Sequence, residues 1–261
     1  MKGLSQLQQL SVKNCRRLVT LPELPTMLSK LEADNCQSLA RVSIYSADHM
    51  NSFDFSFTNC FSLDKIACKN ILAYALLKLQ HYSKGLRNQM SFLPAVESTF
   101  CCPGGKVPEW FNHHSSGHSL VMQLPSNWTS DGFAGLTICA VLAFEEHFYE
   151  SGVQLKCTFH FSTQGPDSQA LHHCYFGGSA YGGKFLQSNH LLFGYDPSIL
   201  KAVIRNQLLG KSKQVDIRFY PEDMNEDPLP GCNVIACGAR LLCAQEEKYL
   251  DFSSHYGGTS A

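Results

Sequence analysis

Apolar positions along the chain follow two different periods. From the start, Leu7, Leu10, Val12, Asn14, Cys15, Leu18 and Leu21 recur 21 positions later as Leu28, Leu31, Ala33, Asn35, Cys36, Leu39 and Val42. A further copy, Phe55, Phe57, Asn59, Cys60 and Leu63, follows at a spacing of 24. The unit L-x-x-L-x-V/A-x-N-C-x-x-L-x-x-L/V is a leucine-rich repeat: a short strand turns at the Asn, and its apolar side chains bury themselves only by stacking on neighbouring copies. The pattern predicts asparagines hydrogen-bonded to backbone groups along the stack, with Cys15, Cys36 and Cys60 in a narrow buried column. The chain starts inside the repeat with no capping segment, which predicts a truncated product or a fragment of something longer.

Beyond Leu63 the period changes. Ile66, Leu72, Ala75, Leu76, Leu79 and Tyr82 recur at helical spacing over 64–83, predicting one amphipathic helix that caps the repeats and ends at Gly85. A connector broken by Pro94 should follow. From about Cys102 the alternation is strand-like, clearest in Val153, Leu155, Cys157, Phe159 and Phe161. Similar runs span 120–124, 135–144, 172–176, 190–193, 215–219 and 234–242. Helix-length patterns do not alternate with these runs, so they predict an antiparallel sandwich rather than a parallel sheet. The exception is a short helix or crossover over 197–209.

Composition narrows the function. Charged residues are 16% of the 261, and Lys+Arg 21 against Asp+Glu 22 gives a net charge of −1, which disfavours a broad basic surface for nucleic acid. The apolar run from Phe133 to Phe144 is too short to span a bilayer, and Met1–Leu10 is too polar for a secretory leader, so no membrane role is expected. The twelve cysteines sit among apolar neighbours and read as reduced thiols of an intracellular protein, in the cytoplasm with the nucleus a second compartment. For such a chain the sequon at Asn127 carries no weight.

Reactive chemistry is poorly supported. His113, His114 and His118, with His172, His173 and Cys174, are suitable zinc ligands without ligand spacing, and adjacent strand residues point to opposite faces. The Gly210-Lys211-Ser212 end of a P-loop lacks the first glycine and the preceding strand. Ser179 misses the nucleophile-elbow pattern because Tyr181 stands at its final glycine position, and nothing selects one Cys/His pair. The expectation is a protein with no cofactor, no metal and no enzymatic activity.

The remaining motifs are more distinctive. Asn59-Cys60-Phe61-Ser62-Leu63 precedes the helix, then come Pro103-Gly104-Gly105-Lys106-Val107-Pro108-Glu109-Trp110-Phe111, Ser115-Ser116-Gly117, Leu124-Pro125 and the closing Cys237-Gly238-Ala239-Arg240-Leu241-Leu242. This set resembles the end of plant TIR-type nucleotide-binding leucine-rich-repeat (TIR-NBS-LRR) disease resistance proteins: the last repeats plus the C-terminal jelly-roll/Ig-like (C-JID) domain. The implied fold is mainly β, with terminal leucine-rich-repeat turns and a capping helix followed by an antiparallel β-sandwich. The units would be repeats over 1–63, helix and connector over 64–101, sandwich over 102–252 and a flexible tail over 253–261.

The resemblance implies a non-catalytic recognition module that works with the remainder of the receptor to grip a pathogen effector protein. The NAD-cleaving TIR domain of the family lies outside this chain. Pro103, Gly104, Pro108, Trp110 and Phe111 read as a rigid turn anchored by buried rings, and the resemblance makes Cys237 and Gly238 part of the family's last-strand C-G-hydrophobic signature. Contact residues are expected in the loops 145–152, 163–171, 177–188 and 220–231, with Phe148, Tyr149 and Tyr181 as exposed aromatic anchors. Two alternatives are a carbohydrate-binding sandwich and a purely structural cap for the repeats.

Overall fold

The computed structural model describes residues 5–43, 52–88, 97–129, 132–150, 152–162, 169–177, 184–205 and 209–243. Each repeat contributes one short strand: β1 (Gln9–Ser11), β3 (Lys30–Glu32) and β5 (Asp54–Ser56), paired in parallel. On the far side of the coil, β2 (Thr20–Leu21) and β4 (Arg41–Val42) form a two-stranded parallel ribbon.

The repeated Asn ends each strand because it tolerates the left-handed backbone of the turn, with φ 60° at Asn14, 60° at Asn35 and 58° at Asn59. The three side chains bond to one another. Asn35 Nδ2 donates to Asn14 Oδ1 at 3.1 Å and Asn59 Nδ2 to Asn35 Oδ1 at 2.9 Å. The cysteine thiols reach the backbone instead, Cys36 to Val12 O at 3.0 Å and Cys60 to Ala33 O at 2.9 Å. Cys15 departs from the expected buried column and is exposed, since a thiol in the first described rib has no earlier coil beneath it.

Asp64 starts helix α1 (Lys65–Asn88), its carboxylate accepting from the Ala67 amide at 2.6 Å. The helix runs through Gly85, which was expected to end it. A buried interior glycine costs only about 1 kcal/mol relative to alanine, and packing of the surrounding turns outweighs that. Ile71, Tyr74, Ala75, Leu79 and Tyr82 seal the repeats by joining one core with Leu28, Leu31 and Phe55, whereas Ile66 is 71% exposed and lies off the apolar stripe.

The connector contains a strand missed by periodicity, β6 (Ser98–Pro103), which straddles the expected boundary between connector and sandwich. It pairs in parallel with β5 and antiparallel with β12, and so joins the two halves into one sheet. The remaining strands are β7 (His113–Ser116), β8 (Ser119–Gln123), β9 (Phe133–Tyr149), β10 (Gln154–Ser162), β11 (Gln169–Gly177), β12 (Lys184–Tyr195), β13 (Gln214–Glu222) and β14 (Cys232–Cys243). Eight strands run in the order β1-β3-β5-β6-β12-β9-β14-β7, and four more, β11-β10-β13-β8, form the opposing antiparallel sheet. Helix α2 (Pro197–Arg205) follows β12, capped by Asp196 through the Ser198 amide at 2.6 Å with proline at its first position.

Strand register explains why the sheet continues without a break. Leu10, Leu31, Phe55, Phe100, Phe193, Cys139 and Gly238 are successive cross-strand partners, forming one row from the first repeat to the last sandwich strand. The neighbouring row points to the other face: Ser11, Glu32, Ser56, Cys101, Leu192, Ala140 and Cys237. That face is polar over the repeats and apolar from Leu192 onward, where the four-stranded sheet covers it and Phe159, Phe161, Ile217 and Phe219 meet Ile138, Ala140 and Leu142. Gly194 permits the close approach of the two layers, because a Cβ there would stand 2.2 Å from Phe176 Cδ1.

Candidate recognition surface

Over the repeats, the face shared with the sandwich interior is a polar floor. Gln9, Lys30, Asp54 and Thr99 form one row, and Ser11, Glu32, Ser56 and Cys101 the next. The floor is cross-linked by its own polar groups: Lys13 and Lys30 reach Glu32 at 2.9 and 3.3 Å, and Thr99 Oγ1 donates to Asp54 Oδ1 at 2.6 Å. Ser56 Oγ donates to Asp34, which also accepts from the Thr58 amide at 3.2 Å. The two lysines hold the Glu32 carboxyl below its ordinary range against the opposing effect of burial.

At the sandwich end the floor meets strand β11. His172 on this strand shares a 2.9 Å hydrogen bond between Nε2 and Ser198 Oγ, and burial lowers its pKa although the Asp196 charge pulls the other way. Glu97 borders the same corner. Shielding of its carboxyl end and the neighbouring Asp196 charge push its pKa up, even though the residue as a whole is exposed.

His190 joins floor and sandwich and was not singled out from sequence. The Asn14 and Asn35 amides donate to the carbonyls of Asp34 and Thr58 in the following rib, both at 2.8 Å. No further rib follows Asn59, and its amide donates to His190 Nε2 at 3.0 Å. An accepting Nε2 places the proton of the neutral ring on Nδ1. The imidazole is fully buried between Phe61 and Phe144, with ring centroids 5.9 and 5.8 Å away. A histidine 131 residues distant carries no local signal of this role.

The proline- and glycine-rich turn packs on the Cys237–Gly238 strand. A Cβ on Gly238 would lie 2.9 Å from Val107 Cγ1 and 3.2 Å from Phe111 Cβ, so the glycine is what lets the turn sit on the sheet. Gly104 donates its amide to Asn189 O at 3.0 Å, and the Phe111 amide closes the turn on Pro108 O at 3.0 Å. Pro103 ends β6 opposite His190. Phe111 is buried, while Trp110 is only half-buried, stacked on Phe111 at 4.0 Å with its carbonyl accepting from Arg240 at 2.8 Å. Cys237 is fully buried in the sandwich core.

The expected aromatic anchors fare differently. Tyr149 is 4% exposed, and its hydroxyl donates to Pro230 O at 3.2 Å. Its expected exposure is corrected, because β9 extends through the segment assigned to a loop and carries the ring into the core. Phe148 belongs to the same strand, but its side chain lies outside the described residues, as does Tyr181. The expected loops are also shorter than their limits, since β11, β12 and β13 extend into them. Within 220–231, Asp223 closes a turn by accepting from the amides of Asn225 and Asp227 at 2.7 and 3.0 Å.

Burial pushes the Cys60, Cys232 and Cys237 thiols up to about 12 and raises those of Cys102, Cys139 and Cys174 well above the ordinary thiol value, which keeps them protonated near neutrality. All twelve cysteines are free of disulfides. Of the histidines considered for zinc, His113 and His114 lie on β7 in the large sheet, His172 and His173 on β11 in the small one, and His118 in the turn between β7 and β8.

A polar repeat floor running into a sandwich whose glycine seats a P-G-G-x-V-P-x-W-F turn is a specific arrangement, and residues 102–248, more than half of the chain, match the C-JID domain. The chain belongs to the C-JID family. Its relatives are disease resistance proteins of the TIR-NBS-LRR class. It is 27% identical over 262 residues to the disease resistance protein RPP2B of Arabidopsis thaliana, covering 93% of this chain and 22% of RPP2B. It is 34% identical over 202 residues to RPS4 of the same plant, covering 74% of this chain and 16% of RPS4. With RPS4B the identity is 36% over 160 residues, 59% of this chain and 14% of the relative. The chain thus spans about a fifth or less of the length of these relatives, and C-JID is a non-catalytic module of such proteins. Among the described residues, no helix is long and apolar enough to cross a membrane.

Proposed function

We propose that this chain is a protein-recognition part of a plant intracellular immune receptor, contributing to the detection of a pathogen effector and acting together with the rest of a longer receptor. The reading rests on the change of character across one sheet face. The row from Ser11 to Ser56 is polar and open where the row from Leu192 to Cys237 is apolar and covered, giving a rigid floor with a wall at one end. Side chains on such a floor vary without disturbing the core beneath them. The loop ends of the sandwich, including 223–231, and the aromatics Phe148 and Tyr181 are candidate additional contacts.

The test is charge reversal on the floor, Lys30→Glu and Asp54→Lys, made in the full receptor together with variants at the 223–231 turn. Loss of the effector-triggered response with an unchanged melting temperature supports recognition. An unchanged response across all of them overturns it.

A second reading is favoured by the His190 contact. Because β6 extends the repeat sheet and His190 accepts the last rib amide, the sandwich also serves as the structural cap of the solenoid. Aggregation of a receptor lacking residues 102–261 supports the capping role, and a well-folded deletion removes it.

A further inference from the structure

Sheet edges in this fold are short, with one exception. The large sheet ends on β1 with three residues and β7 with four, and the small sheet ends on β8 with five. Its other edge, β11, has nine residues, all paired with β10 without a register shift. Long edges are ordinarily guarded by charged residues, proline or a bulge, since their outward amides and carbonyls template further strands. β11 reads Gln-Ala-Leu-His-His-Cys-Tyr-Phe-Gly, with no Lys, Arg, Asp, Glu or Pro, and its Leu171 is 61% exposed. No described strand pairs with its outer side.

That outer side looks along the repeats. β11 is the strand of the small sheet nearest β6 and β12, with Phe176 against Gly194, and the partners of Gly194 lead through Thr99 to Asp54 and Lys30 on the polar floor. A strand added at about 4.8 Å from β11 would therefore lie as a second layer over β6 and β5. Its inward side chains would meet the exposed carboxylates of Asp54 and Glu97, the latter close enough to act electrostatically on Cys174 of β11.

We infer that the β11 edge is a strand-docking site, which takes an extended segment of a partner protein carrying basic residues on its inward face. This deepens the recognition reading and rests on it. Charge selects this occupant over two others. The chain beyond β14 carries Glu246, Glu247 and Asp251 against Lys248, and a second copy of β11 would bring no lysine or arginine. In this mode backbone pairing supplies affinity and alternate side chains supply selectivity.

The experiment is amide hydrogen exchange on the full chain at physiological salt, with a nine-residue peptide alternating lysine and valine as probe. Its controls are the same peptide N-methylated at alternate amides on the pairing side and a glutamate-for-lysine version. The expected result is slowed exchange at every second β11 amide with the probe, lost with both controls and weakened in Glu97→Gln, whose melting temperature stays at the parent's. The inference is overturned by an absence of probe binding or by equal binding of the N-methylated peptide. It is equally overturned by outward β11 amides, those not paired with β10, already protected in the free chain, as an internal strand would cause, or by protection that grows with chain concentration, as a second copy would cause. An effector footprint on Lys30, Glu32 and the 223–231 turn with unchanged β11 exchange would keep recognition and remove only the strand mode.

Discussion

The repeat end and the sandwich share strands of one sheet but use its second face in opposite ways. On the first face both are apolar: Leu31 and Phe55 in the repeats, then Phe100 and Phe193, are all buried. On the second face Ser11 is exposed, while Ala140, five strands along the same row, has no exposure. What separates them is whether a second sheet lies above. The same backbone is therefore core under the four-stranded layer and open surface beside it.

Placing the same charge at both ends of that row gives the largest expected contrast. Ala140→Glu buries an unpaired carboxylate and should cost roughly 5 kcal/mol, whereas Ser11→Glu should stay within about 0.5 kcal/mol. Denaturant titration of both variants checks the pair, and similar costs would erase the distinction between covered and open face. Phe100→Ala removes the fully buried ring at the junction, in contact with Phe57 and Phe193 at 5.9 and 5.1 Å, and should cost about 3 to 5 kcal/mol. Since that ring belongs to both halves, calorimetry should show a single shifted transition. Two transitions, with only one moved, would mean that the halves melt separately.

Two smaller effects sharpen each half. On the sandwich side, Gly194→Ala forces the layers apart at Phe176 and should cost about 1 to 3 kcal/mol, read as a lowered melting temperature. On the repeat side, Lys78 of α1 is fully buried, donates to Leu28 O at 2.9 Å and stands 5.7 and 5.8 Å from the Phe55 and Tyr74 ring centroids. Burial pushes its pKa down to about 8 from 10.5. The native state then binds fewer protons than the unfolded chain between those values, so stability rises with pH across that window. Lys78→Met should flatten the rise and add about 2 kcal/mol at pH 7, once the lost Leu28 hydrogen bond is set against relief of the buried charge. Melting curves at pH 7 and pH 10 for both proteins provide the check.

Much of the architecture was legible in sequence because it depends on local periods. The offset repeats placed Leu10 opposite Leu31, alternation located seven sandwich strands, and the spacing of Leu72, Ala75 and Leu79 found the helix. β6 and β7 escaped because Ser98–Pro103 and His113–Ser116 are too short and mixed to show a period. The aromatic anchors were less legible. Whether Tyr149 faces water depends on where β9 ends and on the Pro230 carbonyl that receives its hydroxyl, and neither is encoded beside it.

By itself the sequence determined the period of the apolar positions in each half, where the chain turns at an asparagine, and that a glycine follows Cys237 in the last strand. Local sterics and hydrophobic spacing act over a few residues, so they can be read along the chain. Only the tertiary structure decided that β6 fuses repeats and sandwich, that His190 accepts the last rib amide, and that the face around Ser56 remains open. Those outcomes come from partners brought together over long separations, when burial of the Leu10-to-Gly238 row selects a register that no single segment specifies.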